Sequence, residues 1–285
     1  MADARNVLVT EVEDLRLVVL GACVQCDEMS EQLVKYKVVD GVAEILLNRP
    51  PVNALSLQVI DQLLAALQRA REDAEVRVVI VASAQKIFCA GLDLDILRDK
   101  SGVEAKQFLE KLYFALNDVQ YRLGKPSIAA IDGATRAGGM TIAISCDMIV
   151  AGEGATFGYP EINVGLIPAL HFVQLTRLVG KHQAFGPLFL GDPFDTQSAF
   201  RMGLVSEIVP TGTALDRARV LARRFAEKSA VVMKLGRDAF MRAYDSDYRR
   251  SIEAAAETFA LVATTDDCQE ALRAFVEKRP PNFKR

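Results

Sequence analysis

Backbone N–H groups that can face a ligand are the first source of chemistry in this sequence, and one candidate segment runs from Phe88 to Leu94. It reads Phe-Cys-Ala-Gly-Leu-Asp-Leu and follows an apolar run that predicts a buried strand. Gly91 permits a tight turn with backbone angles that other residues rarely adopt. Such a turn can leave the next N–H groups free to point at a ligand, although a plain strand-to-helix turn has the same sequence.

A second candidate runs from Asp132 to Thr141, where Gly138 and Gly139 lead from a predicted strand into an apolar helix. The first N–H groups of a helix have no intrahelical partner, and the helix N-terminus carries partial positive charge. The segment is therefore suited to an anion or an oxyanion. It is not a P-loop, because no Gly-Lys-Ser/Thr follows. Glycines that serve only packing are the alternative interpretation.

The third candidate is a carboxyl group, Glu161, which is the single acid in the largely apolar segment from Phe157 to Pro168. Burial would raise the pKa of this carboxyl and suit it to proton transfer near neutral pH. A solvated loop carboxylate is the alternative when the segment is taken alone.

Alternating strands and helices are predicted around these segments. Residues 35–39 and 42–47 predict a hairpin with Asp40-Gly41 as its turn. Apolar residues at helical spacing predict helices at 57–71 and 102–123. Further buried strands are predicted at 77–82, 127–131 and 148–151. The alternation is typical of βαβ units with a mostly parallel sheet, so the predicted class is α/β.

The rest of the chain is predicted to be different in character. Residues 1–34 have no clear period and are interpreted as an N-terminal extension, followed by a core at 35–210. After Pro168 the chain is predicted to be almost wholly helical, with breaks at Gly186, Pro187, Gly191 and Pro193. An amphipathic helix is predicted at 214–228, within a helical C-terminal region at 211–285.

Composition excludes several classes of function. The net charge of −3 argues against a general nucleic-acid binder. No run of ~18 apolar residues predicts a membrane span, and acidic residues precede the short apolar stretch at 15–22, unlike a secretory signal. Cys23 and Cys26 form a C-x-x-C without the second ligand pair of a zinc site, so no metal site is predicted. The odd number of scattered cysteines indicates a reducing compartment, and the cytoplasm is the predicted location.

Taken in order and spacing, the three segments resemble the crotonase superfamily, the enoyl-CoA hydratase/isomerase family. The resemblance runs from about residue 35 to the C-terminus. Supporting pieces are the segments 49–55, 145–147, 202–205 and 275–279. It implies a spiral of ββα units followed by a C-terminal helical trimerisation region, and a homotrimer or a dimer of trimers. It also implies an acyl-CoA thioester as substrate, with coenzyme A as part of the substrate and no separate cofactor.

The resemblance also implies the site residues. Two backbone N–H groups, matched here by Leu92 and Gly138, stabilise the negative charge on the thioester oxygen, and Glu161 matches a catalytic acid/base. The coenzyme A chain and the substrate are expected along a set of residues that match the family's binding positions: Gly91, Asp93, Leu94, Asp95 and Thr141. In the family the adenine pocket often uses a neighbouring subunit, and Phe275 and Lys278 match it, with Lys278 able to meet a phosphate.

Two departures from the family pattern bear on the reaction. Hydratases of the family usually carry a second glutamate where this chain has Thr141, and the usual glycine-rich stretch is replaced by Ala169-Leu170-His171-Phe172. A single acid/base is enough for an isomerase that shifts a double bond, and some related hydratase-lyases also keep only the second acid. His171 is a candidate second base, with packing or capping as its alternative. Tyr159 is a candidate hydrogen-bond donor to the substrate, with a packing role as its alternative.

The leading hypothesis is therefore isomerisation or hydration of an enoyl-CoA with Glu161 as the only acid/base. The alternatives are a lyase, hydrolase or decarboxylase acting on a thioester, and a non-catalytic trimer that binds acyl-CoA. The pocket walls are expected from Leu97, the helix at 100–120 and the segment 168–173.

Overall fold

The structure of the protein is a computed structural model, which describes residues 31–98, 100–244, 256, 259–261 and 263–282. The chain divides into two compact units, Met1–Gln32 and Leu33–Arg285. Of the first unit only residues 31 and 32 are described, so the predictions for Cys23 and Cys26 lie outside the described residues. The second unit contains both 35–210 and 211–285, and the predicted boundary between these two regions stays a prediction.

The strands and helices follow one another along the described chain. The strands are β1 Val34–Val39, β2 Val42–Leu47, β3 Val78–Ser83, β4 Ser127–Ile131, β5 Ala134–Arg136, β6 Met148–Gly152, β7 Thr156–Gly158, β8 Phe194–Asp195 and β9 Glu207–Val209. The helices are α1 Leu57–Glu72, α2 Gly102–Glu110, α3 Leu116–Tyr121, α4 Gly138–Ser145, α5 His171–Val179, α6 Lys181–Leu190, α7 Thr196–Arg201, α8 Ala214–Ala226, α9 Ala230–Tyr244 and α10 Asp266–Val276. The mixed α/β class is confirmed.

The predicted hairpin is confirmed, and its turn explains the register of the first two strands. Val39 pairs with Val42 across the turn, and Val34 pairs with Leu47 at the far end. Asp40 and Gly41 both have positive φ, 49° and 75°. A two-residue turn of this kind needs positive φ at both central positions, for which Asp-Gly is well suited.

The main sheet has six strands in the order β1-β2-β3-β4-β6-β9, and every pair after the hairpin is parallel. Its central strand β3 is buried on both faces. Val79 and Val81 belong to the main core, whereas Val78 and Ile80 pack in a second cluster with Ala218 of α8. Helices on both sides therefore cover the sheet, which explains its continuous β-branched runs. A second sheet, β5-β7-β8, holds the start of α4.

The predicted helix at 102–123 is interrupted in its middle. Residues Lys111–Ala115 form a π-helical turn between α2 and α3. Such turns widen the helix locally and are frequent at functional sites. Tyr113 and Leu112 lie on this turn and are buried.

Two predictions for the second half of the chain are wrong. The chain after Pro168 is not almost wholly helical, because β8 pairs with β7 and β9 pairs with β6. Strands of two and three residues are too short to show a period, and their partners come from distant sequence. Gly186 and Pro187 do not interrupt the helix but lie inside α6. Pro187 has no backbone N–H to donate, and burial of Ala184 and Leu188 offsets the lost hydrogen bond.

The last predicted helices are present where the chain is described, as α8, α9 and α10, whereas residues 245–255 lie outside the described part. None of the helices in the described ranges combines the length and the apolar character needed to cross a bilayer.

Candidate active site

The first glycine turn directs one backbone N–H group away from its neighbouring strand. The Leu55 N–H donates to the Gly91 carbonyl at 2.8 Å, and the Asp93 N–H donates to the Leu55 carbonyl at 3.1 Å. Successive peptide groups in extended chain point to opposite sides, so the Leu92 N–H faces away from Leu55. Gly91 allows this path with a φ of 100°. Within the described residues the Leu92 N–H has no hydrogen-bond acceptor.

Asn53 supports this turn from behind. It is fully buried, and its side-chain amide donates to the Phe88 carbonyl at 2.9 Å and to the Ser83 hydroxyl at 2.8 Å. The Cys89 thiol in turn donates to the Asn53 carbonyl at 3.1 Å. The segment that leads into Gly91 is therefore fixed on a polar network inside the core.

The second glycine turn starts α4. Ala137 has a φ of 49° although it is not glycine, and its N–H donates to the Gly158 carbonyl at 3.1 Å. Helix α4 begins at Gly138, whose N–H is among the first-turn groups that lack an intrahelical acceptor. In the described part of the chain no other acceptor takes the Gly138 N–H. Both N–H groups of the predicted oxyanion pair, those of Leu92 and Gly138, therefore have no acceptor among the described residues.

The two turns are in direct contact, which explains the glycines. A Cβ atom on Gly91 would lie 2.7 Å from the Ala137 Cβ and 3.5 Å from the Gly138 nitrogen. A Cβ atom on Gly138 would lie 2.7 Å from a Leu55 methyl group and 3.3 Å from a Leu92 methyl group. Close approach of backbone requires glycine at position 91, whereas a Cβ at position 138 would crowd side-chain methyl groups. The prediction that glycines mark the two turns thereby gains a geometric reason.

Glu161 lies on a 3₁₀ turn, Pro160–Val164, that ends at Gly165 in the left-handed conformation. Its Oε2 atom is buried and makes no hydrogen bond with any residue that the structure describes. Burial raises the pKa of the Glu161 carboxyl to about 8. The charge of Glu161 also contributes, after burial, to raising the pKa of Tyr113 and of Tyr159, so both phenols lie near the carboxyl.

These groups border one cavity of about 400 Å³. Its lining consists of Val52, Ala54, Ala90, Leu92, Asp93, Leu94, Asp95, Leu112, Tyr113, Ala137, Gly138, Thr141, Pro160, Glu161, Val164, Leu166, His171, Phe259, Phe275 and Val276. Three of the lining side chains are acidic. Asp93 pairs with Arg49 and Asp95 pairs with Arg98, whereas Glu161 forms no ion pair with any described residue.

Thr141 and His171 form a buried polar pair at the cavity wall. The Thr141 hydroxyl lies 3.1 Å from His171 Nε2, and the two residues are 1% and 2% exposed. Burial lowers the pKa of His171 to about 3, so the imidazole is neutral at physiological pH. The ring of Tyr159 packs on the imidazole with centroids 4.5 Å apart. A neutral imidazole with so low a pKa is a poor base, which disfavours His171 as a second proton acceptor.

Most of the residues predicted for the site meet in this cavity, and two do not line it. Gly91 packs against Ala137 instead of facing the cavity. Lys278 is exposed, with a φ of 54°, and lies outside the lining, whereas Phe275 lines the cavity of its own chain. Leu97 was expected in the wall but is buried in the core. Sequence reasoning missed Val164, Leu166 and Phe259, whose apolar types have no distinguishing signal.

A larger cavity of about 840 Å³ lies beside the first and shares Tyr113 with it. Gln107, Ser145 and Phe240 are among its walls, but neither glycine turn nor Glu161 contributes to it. The smaller cavity is therefore the candidate site. In the described ranges no group of three or more His, Cys, Asp and Glu side chains is arranged to hold a metal ion.

Comparisons with known proteins agree with this geometry. The family model described as Enoyl-CoA hydratase/isomerase matches residues 37–285. A probable enoyl-CoA hydratase of Mycobacterium bovis is 33% identical over 244 residues, which is 85% of this chain and 94% of the relative. The 2,3-dehydroadipyl-CoA hydratase of Escherichia coli is 32% identical over 265 residues, 90% of this chain and 99% of the relative. The crystal structure of an enoyl-CoA hydratase/isomerase from Xanthobacter autotrophicus Py2 superposes with a TM-score of 0.80 at 28% identity. The superposition covers 90% of this chain and 100% of that chain.

Proposed function

The chain belongs to the enoyl-CoA hydratase/isomerase family, and we propose that it moves a proton along the acyl chain of an enoyl-CoA, with Glu161 as the only acid/base. One observation carries the proposal: of the three carboxyl groups on the cavity wall, Glu161 alone forms no ion pair with a described residue. Its raised pKa is suited to both taking and returning a proton near neutral pH.

The negative charge formed in this reaction needs donors on the thioester oxygen. Proton removal from the acyl chain builds an enolate whose charge lies largely on that oxygen. The Leu92 and Gly138 N–H groups lie on contacting turns and have no acceptor among the described residues, and they are the proposed donors. Loss of one such preorganised donor typically costs ~3–4 kcal/mol of transition-state stabilisation.

The proton balance of the isomerisation closes on Glu161. Its carboxylate takes a proton from one carbon, and the C–H electron pair enters the conjugated enolate. The same carboxyl then returns the proton to the carbon at the other end of the conjugated system, so that the double bond moves. The enzyme leaves the cycle as a carboxylate again, with no second base required.

Hydration is the second candidate function. The relatives from Mycobacterium bovis and Escherichia coli are both named as hydratases. The Thr141 hydroxyl, at the cavity wall, is a possible ligand for a water molecule. In that case Glu161 would both activate the water and protonate the enolate carbon.

The acyl group is proposed to be uncharged and mainly apolar. Among the described residues that line the cavity there is no Lys or Arg, and most are apolar. A second carboxylate on the acyl chain would be desolvated there without a cation. The coenzyme A chain is proposed to follow Leu92, Asp93, Leu94 and Asp95, with Lys278 available to a phosphate, and coenzyme A enters only as part of the substrate.

The assembly is proposed to be a homotrimer or a dimer of trimers in the cytoplasm. Helix α9 presents apolar side chains to solvent in the single chain, including Val231, Val232, Leu235 and Phe240. Apolar patches of this kind are typical of contacts with another protein surface.

The proposal is tested with a panel of acyl-CoA thioesters in deuterated water, read by mass spectrometry. The panel holds enoyl-CoAs with the double bond at two positions, their saturated analogues and one dicarboxylic acyl-CoA. Isomerisation gives exchange of deuterium without addition of water, whereas hydration gives a product heavier by one water.

The substitution Glu161→Gln should abolish both exchange and turnover while acyl-CoA still binds. Undiminished turnover would contradict the role of Glu161 and favour decarboxylation or hydrolysis. Binding without turnover of any thioester by the unsubstituted protein would favour a non-catalytic trimer.

A further inference from the structure

His171 contacts the first turn of helix α4 although the two lie 30 residues apart. It is the first residue of α5, and its side chain is 2% exposed. His171 Nε2 lies 3.1 Å from the hydroxyl of Thr141, which is in the first turn of α4. The imidazole therefore connects the start of α5 to the start of α4.

The same first turn contains the peptide group between Ala137 and Gly138. The Ala137 carbonyl accepts the Met140 N–H at 2.9 Å and the Thr141 N–H at 3.3 Å. Thr141 links His171 to this peptide group, because its hydroxyl contacts His171 Nε2 and its N–H donates to the Ala137 carbonyl. Because a peptide group is planar, whatever fixes the Ala137 carbonyl also fixes the direction of the Gly138 N–H.

Further contacts fix the backbone and the ring of His171. The backbone N–H of His171 donates to the Pro168 carbonyl at 2.9 Å. The Tyr159 ring packs against the imidazole at 4.5 Å, and Tyr159 immediately precedes the turn that carries Glu161. His171 thus lies between the turn that holds the free Gly138 N–H and the turn that holds the free carboxyl.

We infer that His171 is a positioning residue, which fixes the Thr141 hydroxyl and, through Thr141, the Ala137–Gly138 peptide group, so that the Gly138 N–H points at the thioester oxygen. The inference rests on the proposed role of Gly138 as an oxyanion donor. A neutral imidazole suits this task, because Nε2 can make the contact with Thr141 without a buried charge, while Nδ1 makes no hydrogen bond with any described residue.

The test compares two substitutions of the same residue. His171→Phe keeps a ring against Tyr159 but removes the hydrogen bond with Thr141, and His171→Gln keeps an amide near the position of Nε2. The exposed histidine on α6 supplies the matched control His182→Phe. Each variant is first checked for its thermal unfolding midpoint and for its affinity for a saturated acyl-CoA.

The decisive readout is the carbonyl stretching frequency of a bound saturated acyl-CoA, measured by isotope-edited infrared difference spectroscopy. Oxyanion donors polarise the thioester carbonyl and lower this frequency. We expect His171→Phe to lose much of this lowering of the carbonyl frequency. We also expect it to reduce kcat by at least ~10-fold with little change in KM, but by less than the ~10²–10³-fold that removal of a whole donor costs. His171→Gln should recover part of both, and His182→Phe should change neither.

Two results would overturn the inference: an unchanged carbonyl frequency in His171→Phe, or a frequency that His171→Gln fails to recover although it binds acyl-CoA normally. If His171→Phe does not fold, the same measurement is made on Thr141→Val, which removes the other partner of the 3.1 Å contact; a wild-type carbonyl frequency in that variant would contradict the role. The carbonyl measurement requires binding only. Failure of the proposed function would instead appear as no turnover by the unsubstituted protein.

Discussion

Arg49 and Asp93 form an ion pair that joins the two chain segments meeting at Leu92. Arg49 Nη2 lies 2.8 Å from Asp93 Oδ2, and Arg49 Nη1 donates to the Ala54 carbonyl at 2.8 Å. Ala54 and Asp93 are the neighbours of Leu55 and Leu92, which form the isolated bridge behind the first glycine turn. One guanidinium therefore clamps both sides of the segment that directs the Leu92 N–H.

Arg49→Met is expected to lower kcat several-fold and to reduce the free energy of unfolding by about 1–2 kcal/mol, because two charge-assisted hydrogen bonds on partly buried groups are lost. Urea denaturation and steady-state kinetics measure the two effects. Arg98→Met is the matched control, since it removes the more exposed pair with Asp95 and should change stability by less than ~0.5 kcal/mol. Equal effects of the two substitutions would show that the clamp has no special role.

The pH dependence of the reaction should report the raised pKa of Glu161. The base must be a carboxylate to take a proton, so kcat/KM is expected to rise with pH and to level off above the pKa of about 8. Kinetics in overlapping buffers between about pH 6 and 10 measure this profile. A profile already level at pH 6 would mean that the carboxyl is ionised there and that its burial does not persist in solution.

Stability should change with pH in the opposite direction. The pKa of Glu161 in the folded protein lies above its ordinary value of 4.5, so its contribution to stability is complete below about 4.5 and is lost as pH rises through about 8. Glu161→Gln has no charge to bury. Its free energy of unfolding relative to the unsubstituted protein should therefore increase between these pH values, as urea denaturation at several pH values would show.

The parts of the site that depend on local sequence could be predicted. The hairpin turn at Asp40-Gly41, the start of α4 at Gly138 and the isolated acid Glu161 each follow from residue type and immediate neighbours. The π-helical turn at 111–115 could not be predicted, because its residues have ordinary helical spacing. The strands β8 and β9 were missed because they are defined by partners elsewhere in the chain rather than by a pattern of their own.

The contacts that position the site lie beyond local sequence for the same reason. Arg49 and Asp93 are 44 residues apart, and Thr141 and His171 are 30 apart. Each pair contains residue types that are common on protein surfaces, so nothing in the sequence separates a clamp from a solvated charge. Burial decides the chemistry of Glu161 and His171 in opposite directions, raising one pKa and lowering the other, and burial is a property of the fold.

The two glycine turns should differ in their tolerance of a methyl group. Gly91→Ala places a Cβ 2.7 Å from the Ala137 Cβ and 3.2 Å from the Arg136 carbonyl, at a φ of 100°, so backbone must move. In Gly138→Ala the nearest atom is a Leu55 methyl group at 2.7 Å, which can turn aside. We expect Gly91→Ala to be the more destabilising substitution, and both to reduce kcat.

The control for these substitutions is Gly236→Ala in α9, where a Cβ would meet nothing within 4 Å. It should raise the free energy of unfolding by about 0.5–1 kcal/mol, because alanine is the better helix former. Urea denaturation of the three variants gives the order. A smaller loss for Gly91→Ala than for Gly138→Ala would contradict the close contact between the two turns.

His171 should remain neutral throughout the pH range in which histidines usually titrate. Its pKa in the folded protein is lowered from 6.5 to about 3 by burial. The chain has two histidines, so His182→Gln leaves one imidazole to follow by NMR, and its ring signals should not shift between about pH 5 and 8.

The lowered pKa of His171 also makes stability depend on pH. The stability that comes from the neutral imidazole is present above about pH 6.5 and declines as pH falls below that value, because the unfolded chain takes up the proton. His171→Gln lacks this proton uptake, so its free energy of unfolding should fall less steeply between pH 6.5 and 5 than that of the unsubstituted protein. An imidazole signal that titrates near pH 6.5 would mean that the contact with Thr141 opens to solvent, and it would restore His171 as a candidate base.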